Sequence, residues 1–251
     1  MRSLNYVVTG TGRCGTVYMA RLLTSVGILC GHETIFDYCG LRGAKKRLDG
    51  EEDLRLSVVA SVEYDESKNE HHPVSWHPDV KQIVADASYM AAPFLNDDIL
   101  AGTKVIHVVR NPIQVINSFC NNLYYFRNCD GVWKESQTYE NFIYKFVPEL
   151  KVDMPQYDRA ALYYIKWNEM IEKTKPDFFY RVEDDPGQLL AFLGASGVSE
   201  YYKDTKANTF KKSFNTDVFD SMMKIQNRTV RMDLANMAKR YGYNVLDNGI
   251  I

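Results

Sequence analysis

The stretch VVTGTGRCGT, residues 7–16, constrains this chain more than any other. Tyr6, Val7 and Val8 form a short β-rich run, glycines follow at positions 10, 12 and 15, and Met19, Leu22, Leu23 and Val26 then recur at helical spacing up to Gly27. A strand that breaks into glycine and resumes as a helix points backbone N–H groups and the positive helix end at one spot. That spot attracts an anion. Gly10, Gly12 and Gly15 spell the dinucleotide fingerprint G-x-G-x-x-G, while Gly10 to Thr16 spell G-x-x-x-x-G-[ST], a phosphate loop without its lysine.

Strand-like and helix-like periods alternate through the rest of the sequence, which predicts an α/β fold with a central parallel sheet flanked by helices. GILCGHE reads as a second strand ending at His32 and Glu33, and the polar region from about Gly40 to Pro78 reads as irregular. QIVADASYM offers a third strand over Ile83 to Ala85, with Asp86 and Ser88 at its end. KVIHVVRNP contains the clearest buried strand, ended by Arg110, with Asn111 as helix N-cap and Pro112 as first helical residue. Ala160, Tyr163, Trp167 and Met170 mark a long helix, DFFYRV a last core strand, and GQLLAFL a helix opened by Asp185 and Pro186 and closed by Gly194. Val230 to Tyr241 give a terminal helix stopped by Gly242.

At 251 residues the chain is long enough for one substantial core, and a single domain over 1–251 is the expectation. Thirty basic against thirty-two acidic side chains leave a net charge of -2, so neither nucleic acid nor an anionic membrane is an expected partner. Any anion site must therefore be local. The apolar runs are too short to span a bilayer and the first strand pattern begins close to Met1, which predicts no signal peptide and a cytoplasmic protein. Five cysteines without metal-type spacing fit reduced thiols.

Ligands of an open parallel sheet collect at the carboxyl ends of its strands. Arg13, Glu33, Asp86 and Arg110 each follow such an end, so four polar groups from four segments are expected to converge. A magnesium-dependent nucleotide triphosphatase would need the missing lysine. A dinucleotide site would use Glu33 on the ribose, yet gives Arg110 no task and finds Arg13 crowding the pyrophosphate.

GTGRCGTVYM resembles the 5′-phosphosulfate loop of sulfotransferases that use 3′-phosphoadenosine 5′-phosphosulfate, written [KR]-[ST]-G-[ST]-T. Arg13, Gly15 and Thr16 match it, whereas Cys14 and Val17 depart from it. VIHVVRNPIQVINSF is similar to the 3′-phosphate segment of the same family, with Arg110 and Ser118 eight residues apart. A guanidinium and a hydroxyl are suited to hold a phosphate. GILCGHETIF resembles the segment that carries a catalytic Glu in several branches, tyrosylprotein sulfotransferases among them. IVADASYMAAPFL, YRVEDDPGQLLAFLG and MAKRYGY resemble further segments of the family. Val182 stands where many members have a Tyr beside the adenine, leaving Tyr180 or Trp167 as candidates for that role.

The resemblance implies a P-loop-like sulfotransferase fold and in-line transfer of a sulfuryl group to a hydroxyl or amine, without a metal. Gly12, Arg13, Cys14, Gly15, Thr16 and Val17 would cradle the 5′ end of the donor, and Arg110 and Ser118 its 3′-phosphate. Glu33 or His32 would take the acceptor's proton, with Asp86 a more distant candidate. Lys211 and Lys212, with Lys206, would close over the 3′-phosphate. The acceptor is a small molecule, carbohydrate or peptide. Tyr124, Tyr125, Phe126, Tyr163 and Tyr164 are candidates to line its pocket or to pack the core. His71, His72 and His77 form a second, metal-binding candidate, though in a polar loop. Two other function classes fit the same residues: a P-loop kinase using ATP with magnesium, and a nucleotide-binding module without turnover.

Overall fold

The computed structural model describes residues 3–50, 58–65, 70–76, 82–122, 126, 134–195 and 218–244; for 58–65, 70–76, 122, 134–137 and 218–219 only the backbone is described. In chain order the elements begin with β1 (Tyr6–Thr9), α1 (Thr16–Ser25), β2 (Cys30–His32), α2 (Gly40–Asp49), β3 (Val58–Asp65), β4 (Glu70–Trp76), β5 (Ala85–Ala87) and β6 (Lys104–Val109). They continue with α3 (Pro112–Asn117), α4 (Lys134–Phe146), α5 (Gln156–Glu172), β7 (Phe178–Arg181), α6 (Gly187–Phe192), α7 (Val218–Met223) and α8 (Arg228–Arg240).

Five strands form one parallel sheet in the spatial order β2-β5-β1-β6-β7. Alternation along the strands divides the core in two. Val8, Ile106, Val108 and Tyr180 face α1 and α6, packing on Met19, Leu22, Leu23, Leu189 and Leu190. Val7, Val105 and Val109 belong to the opposite cluster, with residues of α2, α3, α4, α5 and α8. The chain is thus α/β with helices on both faces of the sheet, consistent with a P-loop-like α/β fold.

Counted by order of appearance, the parallel strands run 2-3-1-4-5. The dinucleotide-binding sheet runs 3-2-1-4-5-6, with its second strand beside the first. Here β1 lies between β5 and β6, so the dinucleotide reading of the glycines loses its structural context. The connections after β1 and β6 lead to opposite edges of the sheet, toward β2 and β7. The gap between those two carboxyl ends is therefore the switch point at which such sheets bind ligands.

Two sequence expectations need correction. Region 40–78 contains α2 and the antiparallel pair β3–β4. α2 was hidden because only Gly43, Ala44, Arg47 and Leu48 of its ten residues face inward, a stripe too narrow and too basic to read as apolar periodicity. The third parallel strand is Ala85–Ala87, so Asp86 lies inside it and not beyond its end. The predicted caps hold: Asn111 Oδ1 accepts from the Ile113 amide at 3.0 Å, with Pro112 as the first residue of α3.

Candidate functional site

The turn between β1 and α1 is shaped by close approach. A Cβ on Gly10 would lie 2.0 Å from the Val108 carbonyl oxygen, and one on Gly12 would lie 2.1 Å from the Tyr139 hydroxyl. Gly15 has φ +106, and a Cβ there would lie 2.8 Å from Val182 Cγ2. Substitution at any of the three must displace the loop or the neighbour it meets. Gly12 donates its amide to Tyr163 Oη at 3.0 Å, and Tyr163 is linked to Tyr139 at 3.1 Å. The Gly12 amide is thus engaged from below and supports the turn. No side chain caps α1 and no acidic residue stands in its first turn, so its start at Gly15, Thr16 and Val17 keeps the positive end of the helix dipole uncompensated.

Cys14 falls on the inner side of the turn. It is fully buried, and burial pushes its thiol up to about 12. Its side chain is core packing beneath Gly10, which leaves only its backbone to border the outer face of the loop.

Arg13 and Ser118, 105 residues apart in sequence, meet at the switch point: Arg13 Nε donates to Ser118 Oγ at 3.0 Å. Arg110 donates through Nη1 to the Arg13 carbonyl at 3.4 Å and through Nε to Gln114 Oε1 at 3.0 Å. The Arg110 carbonyl in turn accepts from Tyr164 Oη at 2.8 Å. Arg110 and Ser118 are therefore joined through Arg13 and its carbonyl. Ser118 stands where α3 gives way to a π turn, Ser118–Asn122, a helix irregularity frequent at functional sites. Its hydroxyl accepts from Arg13 and so keeps its own proton for a ligand.

Across β1, the end of β2 carries His32 and Glu33. Thr16 Oγ1 and His32 Nε2 lie 3.1 Å apart, and His32 Nε2 is 3.8 Å from Glu33 Oε1. Burial, then the charges of Arg21 and Arg13, hold His32 down at about 4, so its ring is neutral at pH 7. Burial, then the Asp86 and Asp37 carboxylates, push Glu33 up to about 7 against the pull of Arg13. Its side chain is 30% exposed. A carboxylate titrating near neutrality is matched to general-base work.

Backbone strain marks the same residues. Among the described residues four non-glycines have positive φ, and two of them are Arg13 at 67° and Glu33 at 54°. Such a conformation costs an unbranched residue about 1–2 kcal/mol. It persists where the surroundings enforce it, as active sites do.

The enforcement at Glu33 comes from Asp86. That carboxylate is wholly buried and accepts from the Thr34 and Phe36 amides at 3.0 Å each, while Ser88 Oγ donates to the Phe36 carbonyl at 2.8 Å. Arg47 of α2 completes the clamp, bonding the Ile35 carbonyl at 3.0 Å and Asp37 at 2.6 Å. Burial raises Asp86 to about 6 despite those amides. Both Asp86 oxygens are committed to holding the 33–37 segment, which removes it as a rival base.

Other expected contacts belong to the core. Trp167 is fully buried and donates Nε1 to the Tyr89 carbonyl; Tyr180 is buried with its hydroxyl on the Asp184 carbonyl at 3.0 Å. Neither is placed to stack on a base. Tyr163, Tyr164 and Phe126 are buried as well, the two tyrosines serving as props for Gly12 and Arg110. Tyr124, Tyr125, His77, Lys206, Lys211 and Lys212 lie outside the described residues, and His71 and His72 lie in β4, described by backbone alone. Sequence reasoning missed the Asp86 clamp, the tyrosine props and Arg21. Only Arg21 left a signal, as a lone charge in the apolar run YMARLL.

No described helix is long and apolar enough to cross a membrane. No family model matches this chain, and no curated protein is significantly similar to it.

Proposed function

We propose that the chain is a sulfotransferase, transferring a sulfuryl group from 3′-phosphoadenosine 5′-phosphosulfate to a hydroxyl or amine acceptor. One observation carries the reading: residues 13, 110 and 118 meet at the switch point, through Arg13 Nε to Ser118 Oγ at 3.0 Å and Arg110 Nη1 to the Arg13 carbonyl at 3.4 Å. The residues fit such a donor. The glycine turn is too crowded for side chains yet open at an uncapped helix start, as a phosphate cradle requires. Beside it the Arg110 guanidinium and the Ser118 hydroxyl suit a second phosphate.

When bound, the donor supplies a sulfuryl group with a 3′,5′-bisphosphate as leaving group. Arg13 and the amides at the start of α1 neutralise charge that grows on the 5′-phosphate oxygen, an effect worth about 3–4 kcal/mol for one well-aimed donor. Arg110 and Ser118 hold the 3′-phosphate, which distinguishes this donor from ATP. Glu33 takes the proton of the acceptor hydroxyl. Neutral His32, held by Thr16 Oγ1, fixes the edge of the site next to Glu33.

The acceptor is a small molecule, carbohydrate or peptide. A P-loop kinase reading lacks the lysine that would reach the β- and γ-phosphates. A thermal-shift panel tests the choice. 3′-Phosphoadenosine 5′-phosphate at about a hundred times its Kd should stabilise the fold by about 2.7 kcal/mol. ATP with magnesium, or NAD, at the same concentration should do less. A larger shift with either would overturn the proposal, and failure to transfer labelled sulfate to any hydroxyl or amine in a broad acceptor panel would reduce the chain to a binding module.

A further inference from the structure

α1 buries one charge. Arg21 lies among Met19, Ala20, Leu22 and Leu23, only 4% exposed, and among the described residues its Nε and Nη1 have no hydrogen-bond partner. Burying a guanidinium without an anion is costly, and buried polar groups are otherwise almost always paired. Such a group calls for a partner that the described side chains do not supply.

Three features locate it. Thr24, one turn further along the same face, holds β2 through Thr24 Oγ1 and the Cys30 amide at 3.1 Å, so the Arg21 face of α1 looks toward β2. Helical side chains lean toward the helix N-terminus, so the guanidinium reaches back toward the cradle end of α1. Arg21 also stands ahead of Arg13 among the charges that depress His32, which puts it within Coulombic range of that ring. All this lies on the β2 side of β1, away from Arg110 and Ser118.

We propose that Arg21 is an anion subsite for the acceptor: a carboxylate, sulfate or phosphate group on that molecule pairs with the buried guanidinium fork while its hydroxyl meets Glu33. The proposal rests on the sulfotransferase reading for the identity of the molecule that carries the anion. Arginine suits the task because its planar fork matches such oxyanions with two parallel hydrogen bonds.

The test uses inorganic sulfate as probe, titrated calorimetrically into protein saturated with 3′-phosphoadenosine 5′-phosphate, so that the nucleotide cradle is filled. Wild type should show saturable binding, weakened about tenfold or more in Arg21→Met, with affinity for the bisphosphate unchanged. In sulfate-free buffer Arg21→Met should melt no lower than wild type, because an unpaired buried charge has been removed. Arg21→Lys keeps the charge without the fork and should fall between the two in sulfate affinity. Unchanged sulfate binding in Arg21→Met, or a lower Tm in sulfate-free buffer, would overturn the proposal and make Arg21 a structural cation. Loss of bisphosphate affinity in Arg21→Met would also overturn it, by assigning the anion to the donor. If the bisphosphate does not bind wild type at all, the sulfotransferase reading fails, while sulfate titrated into unloaded wild type and Arg21→Met still tests the subsite.

Discussion

The two banks of this site, on either side of β1, are built on opposite principles. On the β6 side, Arg13 bonds Ser118 and Arg110 bonds the Arg13 carbonyl, so two guanidiniums and a hydroxyl are tied together. On the β2 side, His32 and Glu33 are pushed toward the neutral form, at about 4 and about 7. Burial is the leading cause in both cases. On the proposed function, one bank would offer fixed charge for anchoring, the other a group whose protonation changes during turnover. The difference teaches that strain has been placed at the hinge of each bank, at Arg13 and Glu33, and supported from beneath by separate sets of buried groups.

The largest effects should separate the banks by kind. Glu33→Gln should lower the transfer rate by about 10² to 10⁴-fold, roughly 3–5 kcal/mol of barrier, with donor-product affinity intact. Steady-state transfer and calorimetry on the same variant check it; an active Glu33→Gln removes Glu33 as the base. Arg13→Ala should lower transfer by about 10² to 10³-fold and weaken nucleotide binding as well. A variant of Arg13 that loses turnover alone would blur the division between anchoring and titratable banks.

Asp86→Asn should reach the β2 bank through stability. An amide in place of the buried carboxylate presents a donor to one of the Thr34 and Phe36 amides, at a cost of about 1–3 kcal/mol in denaturant unfolding. Transfer should fall with it as Glu33 loses its strained position, whereas bisphosphate affinity should stay. On the other bank Ser118→Ala should cost about 1.5–3 kcal/mol of bisphosphate binding at most, the range for one charge-assisted hydrogen bond.

The smallest expected effect is the net pH dependence of wild-type stability, because two contributions of opposite sign compose it. Glu33 in the folded chain keeps its proton up to about 7 instead of 4.5, so its contribution is fully present below pH 4.5 and is lost as pH rises to about 7. His32 titrates at about 4 instead of 6.5, so its burial as the neutral ring destabilises the fold more as pH falls from 6.5 to 4. The two trends oppose each other in wild type. Relative to wild type, Glu33→Gln should therefore gain Tm as pH rises from 4.5 to 7, and His32→Asn should lose it between 4 and 6.5. Transfer itself should rise with pH through about 7, as the Glu33 carboxylate forms.

Much of the anchoring bank could be read from the chain. VVTGTG and KVIHVV are short, apolar and bounded by polar residues, and a parallel sheet buries such strands on both faces, so β1, β6 and the helix caps at Asn111 and Pro112 follow from local pattern. The same pattern misplaced β5 by two residues, because Ile83 and Val84 are as apolar as the strand and only pairing with β1 and β2 decides the register. Likewise nothing local tells that Cys14 turns inward while Thr16 turns to His32, or that Trp167 ends on the Tyr89 carbonyl. The Asp86 clamp joins residues about fifty positions apart, and such long-range contacts have no local signature.

The central claim is that the cradle takes a nucleotide with phosphates at both ends. Calorimetry on wild type and Arg110→Ala, with 3′-phosphoadenosine 5′-phosphate and with adenosine 5′-phosphosulfate, tests it most directly. The account predicts that wild type binds the bisphosphate and that Arg110→Ala loses affinity for it while keeping its affinity for the ligand without a 3′-phosphate. Equal loss for both ligands, or no binding of the bisphosphate to wild type, would contradict it.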